Sequence, residues 1–172
     1  MEFQIGEIVL YGAEGICTIL GTEEKKFDTD AMMYYVLESQ TKLSRIFVPF
    51  ANELLVNRIR RVLSAEQMQE LLSEIDSTED MEWIANDRER KAAFASLISN
   101  GKTKDLLVLM KTIQNRRKLL EDMGKKLYAF DDRCYRDARA LVVTELTLSL
   151  RMTQEDAGEA LSQAWTPFGM IE

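Results

Sequence analysis

The hydrophobic period of the chain changes once, near residue 64. From Phe3 to about Pro49 the apolar runs are short and broken by turn residues. They are Phe3-Gln4-Ile5 before Gly6, Ile8 to Tyr11, Ile16 to Leu20 between Gly15 and Gly21, Met32 to Glu38, and Leu43 to Val48 after a Ser39-Gln40-Thr41 turn. Runs of this kind predict four or five β-strands. Thr22 to Ala31, rich in Glu, Lys and Asp, reads as a polar loop between two of them. Short strands packed this densely suit a strongly bent barrel better than an open sheet, whose edges would stay unpaired.

After residue 64 the apolar spacing becomes helical. Ser64-Ala65-Glu66-Gln67 fits a capping box, and Met68, Leu71, Leu72 and Ile75 follow at i, i+3, i+4 and i+7. A second helix starts at Asn86, with Glu89 at the reciprocal capping position, and buries Phe94, Leu97 and Ile98 before stopping at Asn100-Gly101. Thr103 is placed to cap a third, carrying Leu106, Leu109, Met110, Ile113 and Leu120 as far as Gly124. A fourth runs from about Ala129 with Phe130, Cys134, Ala138, Leu141 and Val142 on one face, and a weaker segment spans Thr153 to Ala164. The fold class that follows is α+β: a small Tudor/SH3-like β-barrel over residues 1–62, a compact all-α domain over 63–152, and a C-terminal helix and tail over 153–172.

Composition removes most chemistry from consideration. The 172 residues include no histidine, so the commonest general base and neutral metal ligand are missing. Cys17 and Cys134 are isolated, which gives neither a disulfide framework nor a zinc spacing. No catalytic, cofactor-binding or metal site is expected. Asp131 and Asp132, the best candidates for carboxylate chemistry, read as favourable first-turn charges on a helix. No apolar run approaches a membrane span, and Glu2 and Glu7 stand where a signal peptide would be basic, so a cytoplasmic protein is expected.

Net charge is −7, which by itself argues against nucleic-acid contact. By segment the picture differs. Residues 65–81 hold no basic and 6 acidic side chains, whereas residues 82–151 hold 15 basic and 10 acidic, a net +5. Arg88, Arg90 and Lys91, then Lys102 and Lys104, then Arg116, Arg117 and Lys118, then Lys125 and Lys126 recur near helix ends. Two readings stand: ordinary solvated helix faces, or a surface that follows phosphates. Trp83 lies just before the Asn86 cap. It either packs beneath the interhelical loop or acts as an apolar wedge against a distorted duplex step. Met152 to Ala157 looks like the start of a helix-turn-helix, but no basic recognition helix follows, and Trp165 and Phe168 read as anchors of a packing tail.

The order of these features resembles the CarD/CdnL family of bacterial transcription regulators, whose N-terminal domain is similar to the polymerase-interacting domain of the transcription-repair coupling factor. Phe3-Gln4-Ile5-Gly6-Glu7-Ile8-Val9-Leu10-Tyr11, Gly15 and Ile19 are similar to its first two strands, and Tyr35-Val36-Leu37 and Ile46-Phe47-Val48-Pro49 to its later ones. Trp83, Arg88, Lys91, Leu97 and Asn100-Gly101 are similar to its tryptophan and the basic helix that follows. The resemblance implies a non-enzymatic regulator, bacterial, cytoplasmic and associated with the nucleoid through polymerase. Arg45, Ile46, Phe47 and Val48 would face the RNA polymerase β subunit. Trp83, Arg88, Arg90 and Lys91 would face promoter DNA near the upstream edge of the bubble, stabilising the open complex. Phe47 stands where some members carry an arginine, with Arg45 as the candidate replacement. The acidic total implies weak DNA affinity unless polymerase tethers the chain. The alternative is a protein-only adaptor that binds polymerase or another protein without touching DNA. Neither reading involves a membrane or a small-molecule substrate.

Overall fold

In the computed structural model, which describes residues 3–27 and 30–165, the apolar alternation of the first sixty residues builds one antiparallel sheet. Its strands are β1 (Ile8–Tyr11), β2 (Ile16–Phe27), β3 (Asp30–Ser39), β4 (Arg45–Pro49) and β5 (Ile59–Arg61), in the order β4-β3-β2-β1-β5. One face carries Val9, Cys17, Ile19, Leu37, Val48 and Ile59 into a small core that also buries Phe3. Residues Met1–Val62 form one compact unit and Leu63–Glu172 a second.

Two expectations for the first unit need correction. The sheet is not a closed barrel: among the described residues β4 pairs with β3, β5 pairs with β1, and β4 and β5 are the two edges. Closure would need hydrogen bonds between those edges, and β5 has only three residues to offer. The core face is covered instead by Leu55 and Val56 of a one-turn helix, α1 (Glu53–Val56), which the Asn52 side chain caps by accepting from the Leu55 amide. Residues Thr22 to Phe27, read as part of a polar loop, continue β2, and Asp30 and Ala31 begin β3, in register from Thr22↔Tyr35 to Phe27↔Asp30. Charged side chains do not prevent pairing here because the ladder needs only the backbone, and Glu23, Glu24 and Lys26 stay exposed. The register shifts between Ile19 and Gly21, where Gly21 has φ 141°, a value that L side chains rarely adopt.

The second unit is helical: α2 (Ala65–Glu74), α3 (Asp87–Asn100), α4 (Thr103–Asp122), α5 (Ala129–Leu150) and α6 (Gln154–Ser162). The predicted starts of α2 and α3 are present. Ser64 and Gln67 form a reciprocal capping box, and Asn86 Oδ1 accepts from the amides of Arg88 and Glu89. Gly101 ends α3 in the left-handed conformation that glycine tolerates best. Thr103 does not cap α4. It is buried, and its hydroxyl donates to Glu145 Oε2 at 2.5 Å, while the cap position falls on Lys102. Glu145 Oε1 also accepts from the Leu63 amide at 3.1 Å, so one buried carboxylate joins α5, α4 and the approach to α2. Met68, Phe94, Leu106, Met110, Ile113, Cys134, Ala138, Val142 and Leu146 form the core. Ala157, Leu161 and Trp165 complete it, whereas Phe168 lies outside the described residues.

Both cysteines are free and buried, and that burial pushes each thiol pKa up to about 11. The thiolate is the reactive form, so at pH 8 roughly one folded molecule in a thousand would present it at either position. A thiol reagent at pH 8 is therefore expected to label neither cysteine in the folded chain and both on unfolding. Rapid labelling before unfolding would show that the cores open locally.

Candidate functional site

The first candidate surface is the β4 edge. Arg45 is exposed, Ile46 and Phe47 are partly buried and Val48 is fully buried, in the alternation a half-covered edge strand requires. Val48 and Ile46 turn into the core. Phe47 lies on the other face of the sheet, where its ring meets Tyr34 edge-on at 6.4 Å and the Lys25 ammonium sits 3.3 Å from its centroid. That second face is also apolar. A groove of about 510 Å³ beside the edge is lined by Met32, Tyr34, Pro49 and Leu54 on its apolar side and by Ala51, Asn52 and Glu53 at the start of α1, and Leu54 is 79% exposed. The four residues of the apolar side were not among the expected contacts. The signal was present in the unbroken apolar run from Met32 to Leu37, which describes a strand apolar on both faces.

The second candidate surface is built around Trp83, in the connection between α2 and α3. The ring is partly buried, packed edge-on against Phe94 at 6.0 Å. Two guanidinium groups stand over it, Arg90 at 4.9 Å and Arg116 at 5.1 Å from the ring centroid. The geometry is that of cation–π pairs, so the indole is held in an electropositive setting. A shallow groove of about 250 Å³ opens beside it, lined by Asp80, Met81, Thr112, Asn115, Arg116 and Leu119.

The basic residues separate into different roles. Arg88 is exposed at the start of α3. Lys91 lies 5.1 Å from the Tyr128 ring centroid and 5.7 Å from that of Phe130, and its hydrogen bond with the Tyr128 side chain holds its pKa above the ordinary lysine value. Arg90, expected beside them at a DNA surface, is 4% exposed. Its guanidinium donates to Asp131 at 3.0 and 3.2 Å, to Asp87 at 2.7 Å and to the Ile84 carbonyl at 2.8 Å. A side chain so enclosed has little left to offer an external phosphate; it holds α3, α5 and the Trp83 segment together. Asp131, read as a first-turn charge, is its buried partner.

Other cations are also committed within the chain. Lys111 is buried, Arg117 and Arg136 both pair with Asp132, and Lys118 pairs with Asp122. These pairs take up acidic and basic side chains alike, so they leave the +5 over residues 82–151 nearly as counted and change which of its cations a partner could reach. Arg88, Lys102, Lys104, Lys125, Lys126, Arg133 and Arg151 are exposed basic positions of that stretch, as is Arg136 beside Asp132. Among the described residues, no group of three or more acidic or thiol side chains is placed to hold a metal, and no helix is long and apolar enough to cross a membrane.

Comparison with known proteins bears on the first surface. The family model of the CarD-like/TRCF RID domain matches residues 3–63, the span that contains all five strands. No curated protein matches the chain.

Proposed function

From the premise that residues 3–63 form a CarD-like/TRCF RID domain, which points to interaction with RNA polymerase, we propose that this chain is a polymerase-bound regulator of promoter opening. The match over residues 3–63 is the observation that carries the reading. In it, β4 docks on the polymerase β subunit. The position of β4 at the edge of the sheet supports this, because an edge strand has backbone donors and acceptors that a partner strand can pair with. Arg45 and Phe47 supply charge and apolar area beside that edge, and the groove of Met32, Tyr34, Pro49 and Leu54 extends the apolar part.

The helical unit then acts on promoter DNA at the upstream edge of the bubble, with Trp83 as the wedge and Arg88 and Lys91 as phosphate contacts. A wedge shifts an equilibrium only by its preference for open over closed DNA. Weak intrinsic affinity is consistent with the net charge of −7 and with the internal pairing of several cations. Docking on polymerase would compensate by raising the local concentration.

A polymerase pull-down combined with promoter-opening kinetics tests both halves. Substituting Arg45→Ala and Phe47→Ala together is expected to reduce polymerase retention by about tenfold or more, as loss of a charge and an aromatic anchor does at other interfaces. Undiminished retention would remove β4 from the contact. The internal pairing of the helical cations favours one second reading, the protein-only adaptor, in which the helical unit binds protein. Its signature is an unchanged open-complex lifetime in Trp83→Ala with polymerase still retained.

A further inference from the structure

Lys111 lies in the middle of α4 and is only 8% exposed, an unusual place for an ammonium group. It is not left unsatisfied. Nζ donates to the carbonyls of Ile75, Asp76 and Thr78 at 3.1, 2.8 and 2.6 Å, with Asp80 Oδ1 at 3.8 Å. Those carbonyls follow the C-terminus of α2, where helix geometry leaves acceptors without partners and the helix dipole favours a cation. One lysine therefore gathers the chain as it leaves α2.

The neighbouring residues of α4 continue the attachment. Asn115 Nδ2 donates to Asp80 Oδ2 at 2.8 Å, and the Met81 amide donates to Thr112 Oγ1 at 2.9 Å, a hydroxyl that itself donates to the Val108 carbonyl. On the far side Arg90 holds the Ile84 carbonyl. Trp83 lies between these two anchorages, two residues after Met81 and one before Ile84.

We propose that Lys111 is a positioning residue for Trp83: by binding the carbonyls of residues 75–78 it folds the connection onto α4 and sets where the indole is presented. The consequence for promoter opening rests on the reading of Trp83 as a DNA wedge; the positioning itself does not. Without the ammonium, the carbonyls of Ile75, Asp76 and Thr78 lose the donor they share, the connection lifts from α4, and the indole loses its fixed place between Arg90, Arg116 and Phe94.

The test uses the full chain in a Trp165→Phe background, which leaves Trp83 as its tryptophan. Lys111→Met is compared with the parent at a temperature where circular dichroism shows both folded. Acrylamide quenching of Trp83 is expected to rise by about twofold or more, the signature of a locally released segment. With polymerase and promoter, the open-complex lifetime is expected to fall toward that of Trp83→Ala, and Lys111→Arg to restore part of both losses. A folded Lys111→Met with unchanged quenching overturns the proposal. If Lys111→Met does not fold, Thr112→Val, which removes the acceptor at Met81 and keeps the side-chain shape, carries the same expectation. Increased quenching, in a chain whose Trp83→Ala variant opens promoters normally, supports the positioning role and rejects the wedge, so the two readings fail separately.

Discussion

Replacing Asp131 with Ala is expected to destabilise the helical unit by about 3–5 kcal/mol, because it strands a buried guanidinium without its main counter-charge. Asp131 is 1% exposed and accepts from both Arg90 Nε and Arg90 Nη2. Asp87 and the Ile84 carbonyl keep their bonds to Arg90, which places the expected loss toward the lower end of that range. In thermal unfolding this corresponds to a fall of at least about 10 °C. The double variant Arg90→Met with Asp131→Leu removes both charges together and is expected to recover most of the stability, since a buried ion pair is often nearly neutral against an apolar replacement. A loss below about 1 kcal/mol in Asp131→Ala would show that water or another acceptor compensates Arg90, contrary to its enclosure. Because Arg90 also faces Trp83, the double variant should weaken promoter opening even where it folds well.

Trp83→Ala is expected to shorten the lifetime of the open promoter complex by roughly tenfold while polymerase retention is unchanged. That factor corresponds to about 1.4 kcal/mol of lost preference for open DNA. The separation of the two readouts follows from the location of Trp83 outside residues 3–63, the span that matches the CarD-like/TRCF RID domain and on which the proposed polymerase contact rests. Trp83 also packs on Phe94, so the substitution costs some stability, and the kinetics belong at a temperature where both proteins are folded. Trp83→Phe keeps an apolar ring near Phe94 and is expected to retain part of the effect. An unaltered lifetime with Trp83→Ala would favour the protein-only adaptor.

The features legible in the sequence share a short range. Ser64 with Gln67, Asn86 as the cap of α3, and Gly101 are signals in which a side chain or a glycine acts on backbone within a few residues of itself; the reciprocal bond expected from the Glu89 side chain is not among those of the α3 cap. Strand β1 coincides with its apolar run, because Gly6 and Gly12 bound it on either side. The length of the β2–β3 hairpin was hidden because pairing depends on backbone hydrogen bonds that do not register in a list of charged side chains. Arg88, Arg90 and Lys91 look alike in sequence, and their different burial depends on a carboxylate 41 residues beyond Arg90.

By itself, the sequence determined the change from strands to helices near residue 64, the caps of α2 and α3, the absence of histidine chemistry, and the candidate pair of a β4 strand and Trp83. Each follows from residue type and local spacing, which act before any distant contact forms. Tertiary structure alone decided that the sheet is open with β4 at one edge, that Arg90 is an interior strut, and that Lys111 holds the connection leading to Trp83. These outcomes depend on which distant groups meet and which become enclosed, and burial is what turns one basic residue into a surface contact and another into part of the frame.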